Sequence, residues 1–127
     1  MAKGLRQEEE KIGFPRRGDI YLVEFDPARG HEIQKTRPAL IIQNDIGNQY
    51  SPITIVAALT SKFDTPPRPT DVIIERGQSG LSQKSAAVLN QIRSVDRQRL
   101  IRRLGRLDAA TMQRVDHALT ISLGLLT

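Results

Sequence analysis

Arg37 and Thr60 are the residues of this chain whose type and setting suit chemistry on a phosphate. Arg37 stands directly before Pro38, which holds its backbone extended and aims the side chain reproducibly. A guanidinium offers five donors in a fixed fork that fits phosphate oxygens. Thr60 closes the run Ile53 to Leu59, just before a Pro-rich loop, and its hydroxyl can donate one further bond. Such a pair can assist cleavage of RNA, which brings its own nucleophile, the 2′-hydroxyl beside the scissile phosphate. The protein then has to hold the phosphate in line, stabilise the added negative charge and manage proton transfer. Both residues also have an ordinary structural reading. Arg37 can pair with a carboxylate such as Glu32, and Thr60 can bond local backbone. Taken alone, the residue types favour those ordinary readings.

Other chemistries find less support. The two histidines, His31 and His117, are isolated, and no His or carboxylate pair sits at ligand spacing, so no metal site or cofactor is expected. There is no Gly-x-Ser-x-Gly turn and no Gly-rich phosphate loop of the Walker type. The absence of cysteine excludes disulfides and thiolate metal sites. The net charge of +5 favours an anionic partner. Arg97, Arg99, Arg102, Arg103 and Arg106 crowd one segment, either as a solvated helix face or as a surface that tracks phosphates. Aromatic residues are too few for a base-stacking sheet.

At 127 residues the chain is expected to be one domain spanning 16–127, preceded by a flexible charged extension, 1–15. No apolar run approaches the ~20 residues of a membrane span, and Met1 to Lys11 lacks a signal-peptide core. A cytoplasmic protein without membrane contact is therefore expected. Strand periodicity runs from Asp19 to Phe25, with Tyr21, Val23 and Phe25 on one side and Ile20 and Leu22 on the other. Pro38 fits the first position of a second strand, Ala39 to Asn44, because it has no amide to donate inside a ladder. Asn44 to Pro52 reads as a turn, Ile53 to Leu59 as a third strand, and Asp71 to Glu75 and Ser85 to Arg93 as two more. Asp96 to Leu104 reads as a short helix stopped by Gly105. Asp108 caps a last helix whose stripe is Met112, Val115, Leu119, Ser122, Leu123 and Leu126. Five short strands and two helices argue an α+β domain with a small, partly closed antiparallel sheet.

The order Arg17-Gly18-Asp19-Ile20-Tyr21, Arg37-Pro38-Ala39-Leu40, Gln43-Asn44-Asp45-Ile46-Gly47-Asn48 and Gln91-Ile92-Arg93-Ser94-Val95-Asp96 resembles the MazF/PemK family of toxin endoribonucleases. The resemblance covers nearly all of Arg17 to Leu126. It implies an SH3-like antiparallel β-barrel with short helices, including a C-terminal one. It assigns the catalytic pair to Arg37 and Thr60, and substrate contacts to Arg17, Glu32, Asn44 and Gln91. His31, in the loop next to this site, titrates near neutrality and is a candidate for acid or base help. Some relatives carry Glu before the Gln of the fifth strand, where this chain has Asn90.

The activity so implied is metal-independent, sequence-selective cleavage of single-stranded mRNA, leaving 2′,3′-cyclic phosphate and 5′-hydroxyl ends. The implied partners are a cognate antitoxin, acidic or partly disordered, and a second copy of the chain in a homodimer. The alternative from another class is a toxin of the same fold that binds a protein target such as DNA gyrase. A passive RNA-binding module would explain the charge but not the Arg–Thr pair.

Overall fold

The computed structural model describes residues 13–26 and 35–125. Residues 1–12 of the expected extension, the loop bearing His31 and Glu32, and Leu126 lie outside the described residues. The elements run β1 (Asp19–Asp26), β2 (Lys35–Ile41), α1 (Asp45–Tyr50), β3 (Ile53–Thr60), β4 (Asp71–Ile74), β5 (Ser85–Asp96), β6 (Leu100–Arg106) and α2 (Ala109–Ser122). All strand pairs are antiparallel, in one sheet of order β4-β5-β3-β2-β1-β6. This is the expected α+β class.

The alternation along β1 sorts side chains to two cores. Tyr21, Val23 and Phe25 pack with Ala39, Ile41, Val56 and Val95 on one face. Ile20 packs with Leu40, Ala57, Leu59, Val72 and Leu89 on the other. That second face is covered by α2, through Val115 and Ala118, both buried. A helix of 14 residues is marginal alone. Burial of Val115 and its neighbours, at about 1.5–3 kcal/mol for each fully buried large side chain, holds it in place. Its start is capped by Asp108, whose carboxylate accepts from the Thr111 amide at 2.7 Å.

The sheet is forced to coil by a short connection. β5 and β6 are separated in the sheet by β3, β2 and β1, yet only Arg97–Arg99 joins them. Flat, the two strands would stand about 19 Å apart at a spacing of about 4.8 Å per strand. The chain from Asp96 to Leu100 reaches about 14 Å at most. β5 supplies the bend: opposite the single residue Ala58 it runs from Val88 to Gln91 without a partner on β3. The coil is barrel-like but not closed, since no ladder joins β5 to β6.

The open side is bridged by the loop between β4 and β5. Its Gln78–Gly80 turn lies directly on β6, where Ser79 Oγ donates to the Arg106 carbonyl at 2.8 Å. The approach needs two glycines. A Cβ on Gly80 would sit 2.0 Å from the Leu104 carbonyl oxygen, and one on Gly105 would sit 2.2 Å from that of Ser79.

Three elements differ from the sequence-based expectation. Asp96 to Leu104 is not a helix. Asp96 caps only the Arg97–Arg99 turn, accepting from the Gln98 amide at 2.8 Å, and the chain then pairs with β1 as β6. The basic residues that suited a helix face are held by the strand pairing instead: Asp19, almost fully buried, takes Arg103 at 3.3 Å and Arg106 at 2.9 Å. Gly105 is inside that strand rather than a helix stop. The expected turn after β2 contains α1, capped by Asn44, whose Oδ1 accepts from the Gly47 amide at 2.7 Å. Pro38 lies within β2, not at its start. It is tolerated because the ladder with β3 begins only at Ala39, so β2 has a neighbour on one side there.

Gly105→Ala should destabilise the fold by at least the ~1–3 kcal/mol typical of overpacking. Gly105 has no positive φ, so the effect isolates the steric contact. Urea denaturation measures it, and an unchanged midpoint would show that the loop can lift off β6 without cost.

Candidate functional site

Arg37 lies near the start of β2 and Thr60 at the end of β3. The β2–β3 ladder pairs Ile41 with Val56, Leu40 with Ala57 and Ala39 with Ala58, and stops there. Extending the same register by two residues sets Arg37 opposite Thr60. The ladder itself does not reach that pair. The strands part at this point, and an open cleft of about 570 Å³ lies in the gap.

Both residues line that cleft. Its floor includes buried Leu59 and Leu81, and Leu22 and Pro38 form a partly buried apolar wall. Among the described residues its charged lining is Arg37, Lys62 and Arg102, with no carboxylate. Ser61, Ser82, Gln83 and Ser85 add polar groups. Such a hollow suits an anion whose oxygens accept from several donors.

Thr60 also does what its ordinary reading requires. Its hydroxyl donates to the Lys62 carbonyl at 3.0 Å and accepts from the Lys62 amide at 3.1 Å. This reciprocal turn fixes the chain as it leaves β3 and sets Lys62 on the cleft's border.

Arg17, Asn44 and Gln91, also assigned by resemblance, do not line this cleft. Arg17 is tied in three directions. Its amide donates to Asp45 Oδ1 at 2.7 Å, its Nε to the Ile42 carbonyl at 2.8 Å, and its Nη2 to Asp116 Oδ1 at 2.6 Å. It thereby joins the start of β1 to α1 and α2. Asn44 caps α1 beyond the far end of β2 from Arg37. Gln91 is exposed on the unpartnered stretch of β5. His31 and Glu32 lie outside the described residues. The motif from Gln43 to Asn48 has a structural basis of its own. Fully buried Asn48 accepts from Thr54 Oγ1 at 2.7 Å and donates to the Gln43 carbonyl at 2.9 Å, locking α1 onto β3.

Sequence reasoning did not single out Lys62, Ser82 or Gln83, and named Arg102 only as one of five crowded arginines that could track phosphates. Lys62 was signalled only by its place two residues after Thr60. The place of Arg102 at the cleft was hidden by reading its segment as a helix. A larger hollow of about 1030 Å³ lies along the other side of β6, but Asp19 and Asp96 line it together with its arginines. Among the described residues no group of three or more His, Asp or Glu side chains could hold a metal ion. None of their helices is long and apolar enough to cross a membrane.

Residues 16–123 match the family described as PemK-like, MazF-like toxin of type II toxin–antitoxin system. The chain belongs to this family. Solved structures similar to this family member include MazE–MazF from Deinococcus radiodurans, at 26% identity and a TM-score of 0.74, covering 88% of this chain and 97% of that one. An endoribonuclease from a mycobacterial species is 23% identical with a TM-score of 0.74, covering 91% of this chain and 96% of that one. The Mycobacterium tuberculosis toxin MazF-mt6 is 21% identical with a TM-score of 0.71, covering 84% and 96%. The last two matches bear on the fold alone. They agree with the coiled sheet and C-terminal helix of this PemK/MazF-family chain.

Asn44→Ala should cost the family member about 0.5–2 kcal/mol through loss of the α1 cap, and Asn44→Asp should restore it. Denaturation midpoints of the two variants check this. Equal midpoints for Asn44→Ala and wild type would remove the capping role.

Proposed function

We propose that this chain is the toxin of a toxin–antitoxin pair and acts as an endoribonuclease on single-stranded RNA at the Arg37–Thr60 cleft. One observation carries the reading: Arg37 and Thr60 border a single cleft whose lining, among the described residues, holds three cationic residues and no carboxylate. Membership of the family described as PemK-like, MazF-like toxin of type II toxin–antitoxin system supports the toxin role. Structures of a mycobacterial endoribonuclease with its cognate antitoxin, and of MazE–MazF, support an antitoxin partner. An acidic segment of that partner would compete with RNA for the cleft, and a homodimer is part of the same proposal.

In the proposed reaction the RNA 2′-oxygen attacks the adjacent phosphorus, a new P–O2′ bond forms and the P–O5′ bond breaks. The proton of the 2′-hydroxyl is released and the departing 5′-oxygen gains one. Arg37 bonds the non-bridging oxygens and stabilises the charge that grows on them, while the Thr60 hydroxyl adds a neutral donor. A guanidinium does not deprotonate in proteins, so Arg37 is not the base. His31 is the candidate for proton transfer. The products are a 2′,3′-cyclic phosphate and a free 5′-hydroxyl. Sequence selectivity would come from contacts outside this cleft, where Arg17, Asn44 and Gln91 are the candidates. A toxin that only binds a protein such as DNA gyrase would not need a cleft where Arg37, Thr60, Lys62 and Arg102 meet.

Arg37→Ala should lower the cleavage rate on the order of 10²–10³-fold with an unchanged unfolding midpoint, since the side chain is exposed. Near-wild-type cleavage by the folded variant would remove the central assignment. Thr60→Val should suppress cleavage while Thr60→Ser retains it, because only serine keeps the hydroxyl.

Incubation with a long RNA in excess EDTA, followed by mapping of the ends, tests the chemistry. Cutting should persist, leave 2′,3′-cyclic phosphate, and fail on RNA lacking the scissile 2′-hydroxyl. A requirement for Mg²⁺, or equal cutting of the 2′-deoxy substrate, would mean that water is the nucleophile and the mechanism is wrong.

A further inference from the structure

The cleft holds more positive charge than one phosphate requires. A phosphodiester carries one negative charge, and the phosphorus centre gains a second during internal attack. Among the described residues Arg37, Lys62 and Arg102 exceed even that, with no carboxylate in the lining. Among the described residues, neither Lys62 nor Arg102 has a carboxylate at ion-pair distance.

Arg102 is set apart from its basic neighbours by register. In the β1–β6 ladder Arg102 pairs with Leu22, which lines the cleft, and Arg103 with Tyr21; Arg102 lines both the cleft and the larger hollow, whereas Arg103 lines the hollow alone. Arg103 and Arg106 are matched by Asp19, and Arg99 lies 4.0 Å from Glu24. Arg102 is exposed.

Resting on the endoribonuclease reading, we infer that Arg102, with Lys62, binds a phosphate next to the one at Arg37. The cleft therefore takes at least two consecutive backbone phosphates of single-stranded RNA. Arg102 is a positioning residue. It fixes the strand in line across the gap between β2 and β3 and does not touch the reacting atoms.

Binding of mixed-sequence single-stranded 2′-fluoro RNA, which lacks the nucleophile and stays intact, is measured across a salt series. Each neutralised phosphate contributes about 0.7 to the slope of log affinity against log salt. Arg102→Ala should lower the slope by about 0.7, Arg102→Lys should restore it, and Arg103→Ala should leave it as in wild type. A wild-type slope for Arg102→Ala, or an equal drop for Arg103→Ala, overturns the inference. So does a loss of poly-glutamate binding by Arg102→Ala with RNA binding intact, since the occupant is then an acidic protein segment. Cleavage of ordinary RNA by the wild type is scored separately. Its absence would sink the endoribonuclease reading while the salt slopes still decide the role of Arg102.

Discussion

The contact between Gly80 and Gly105 is the constraint on which the remaining architecture depends. Backbone meets backbone there with no room for a single methyl group on either side. It lets the β4–β5 loop bridge the side of the coiled sheet that no strand closes. It also brings Leu81 into the core and sets Ser82 and Gln83 beside Leu104 and Arg102. One wall of the cleft is thus built by the close approach of the β4–β5 loop to β6, while Arg37 and Thr60 border it where the β2–β3 ladder has ended. The cleft belongs to no single element, so it exists only when the whole sheet has coiled.

The basic strand β6 is tolerated because its charge is distributed unequally. Buried Asp19 anchors Arg103 and Arg106, and its Oδ2 accepts from the Arg16 amide at 3.0 Å. A buried carboxylate with this many donors is well satisfied. The same arrangement leaves one side of the strand matched and the other charged. An edge strand with unmatched cations also resists pairing with another sheet.

Much of the core was legible in the sequence because strand alternation is a local signal. The two faces of β1 and the Asp108 cap followed directly from residue order. β6 was not legible: an Asp before a basic run that ends in Gly satisfies the local rules for a helix, and only pairing with β1, some eighty residues earlier, decides otherwise. The helix α1 was masked by turn-forming residues that serve as its cap and its buried staple, Asn44 and Asn48. For the site, the resemblance selected Arg37 and Thr60, but their shared cleft forms where the β2–β3 ladder has ended, which no single residue reports. Arg102 was visible as one of a basic cluster, but its place at the cleft depended on β6.

The reciprocal bond between Thr60 and Lys62 makes the hydroxyl its own competitor at rest. A hydroxyl has a single proton to give, and here the Lys62 carbonyl holds it. An incoming phosphate oxygen can claim that proton only when the hydroxyl rotates away and water takes over the abandoned carbonyl. The exchange is worth about 0.5–1.5 kcal/mol, the net value of an ordinary hydrogen bond. In the proposed reaction this exchange would favour an anion held also by the neighbouring cations over one held by Thr60 alone.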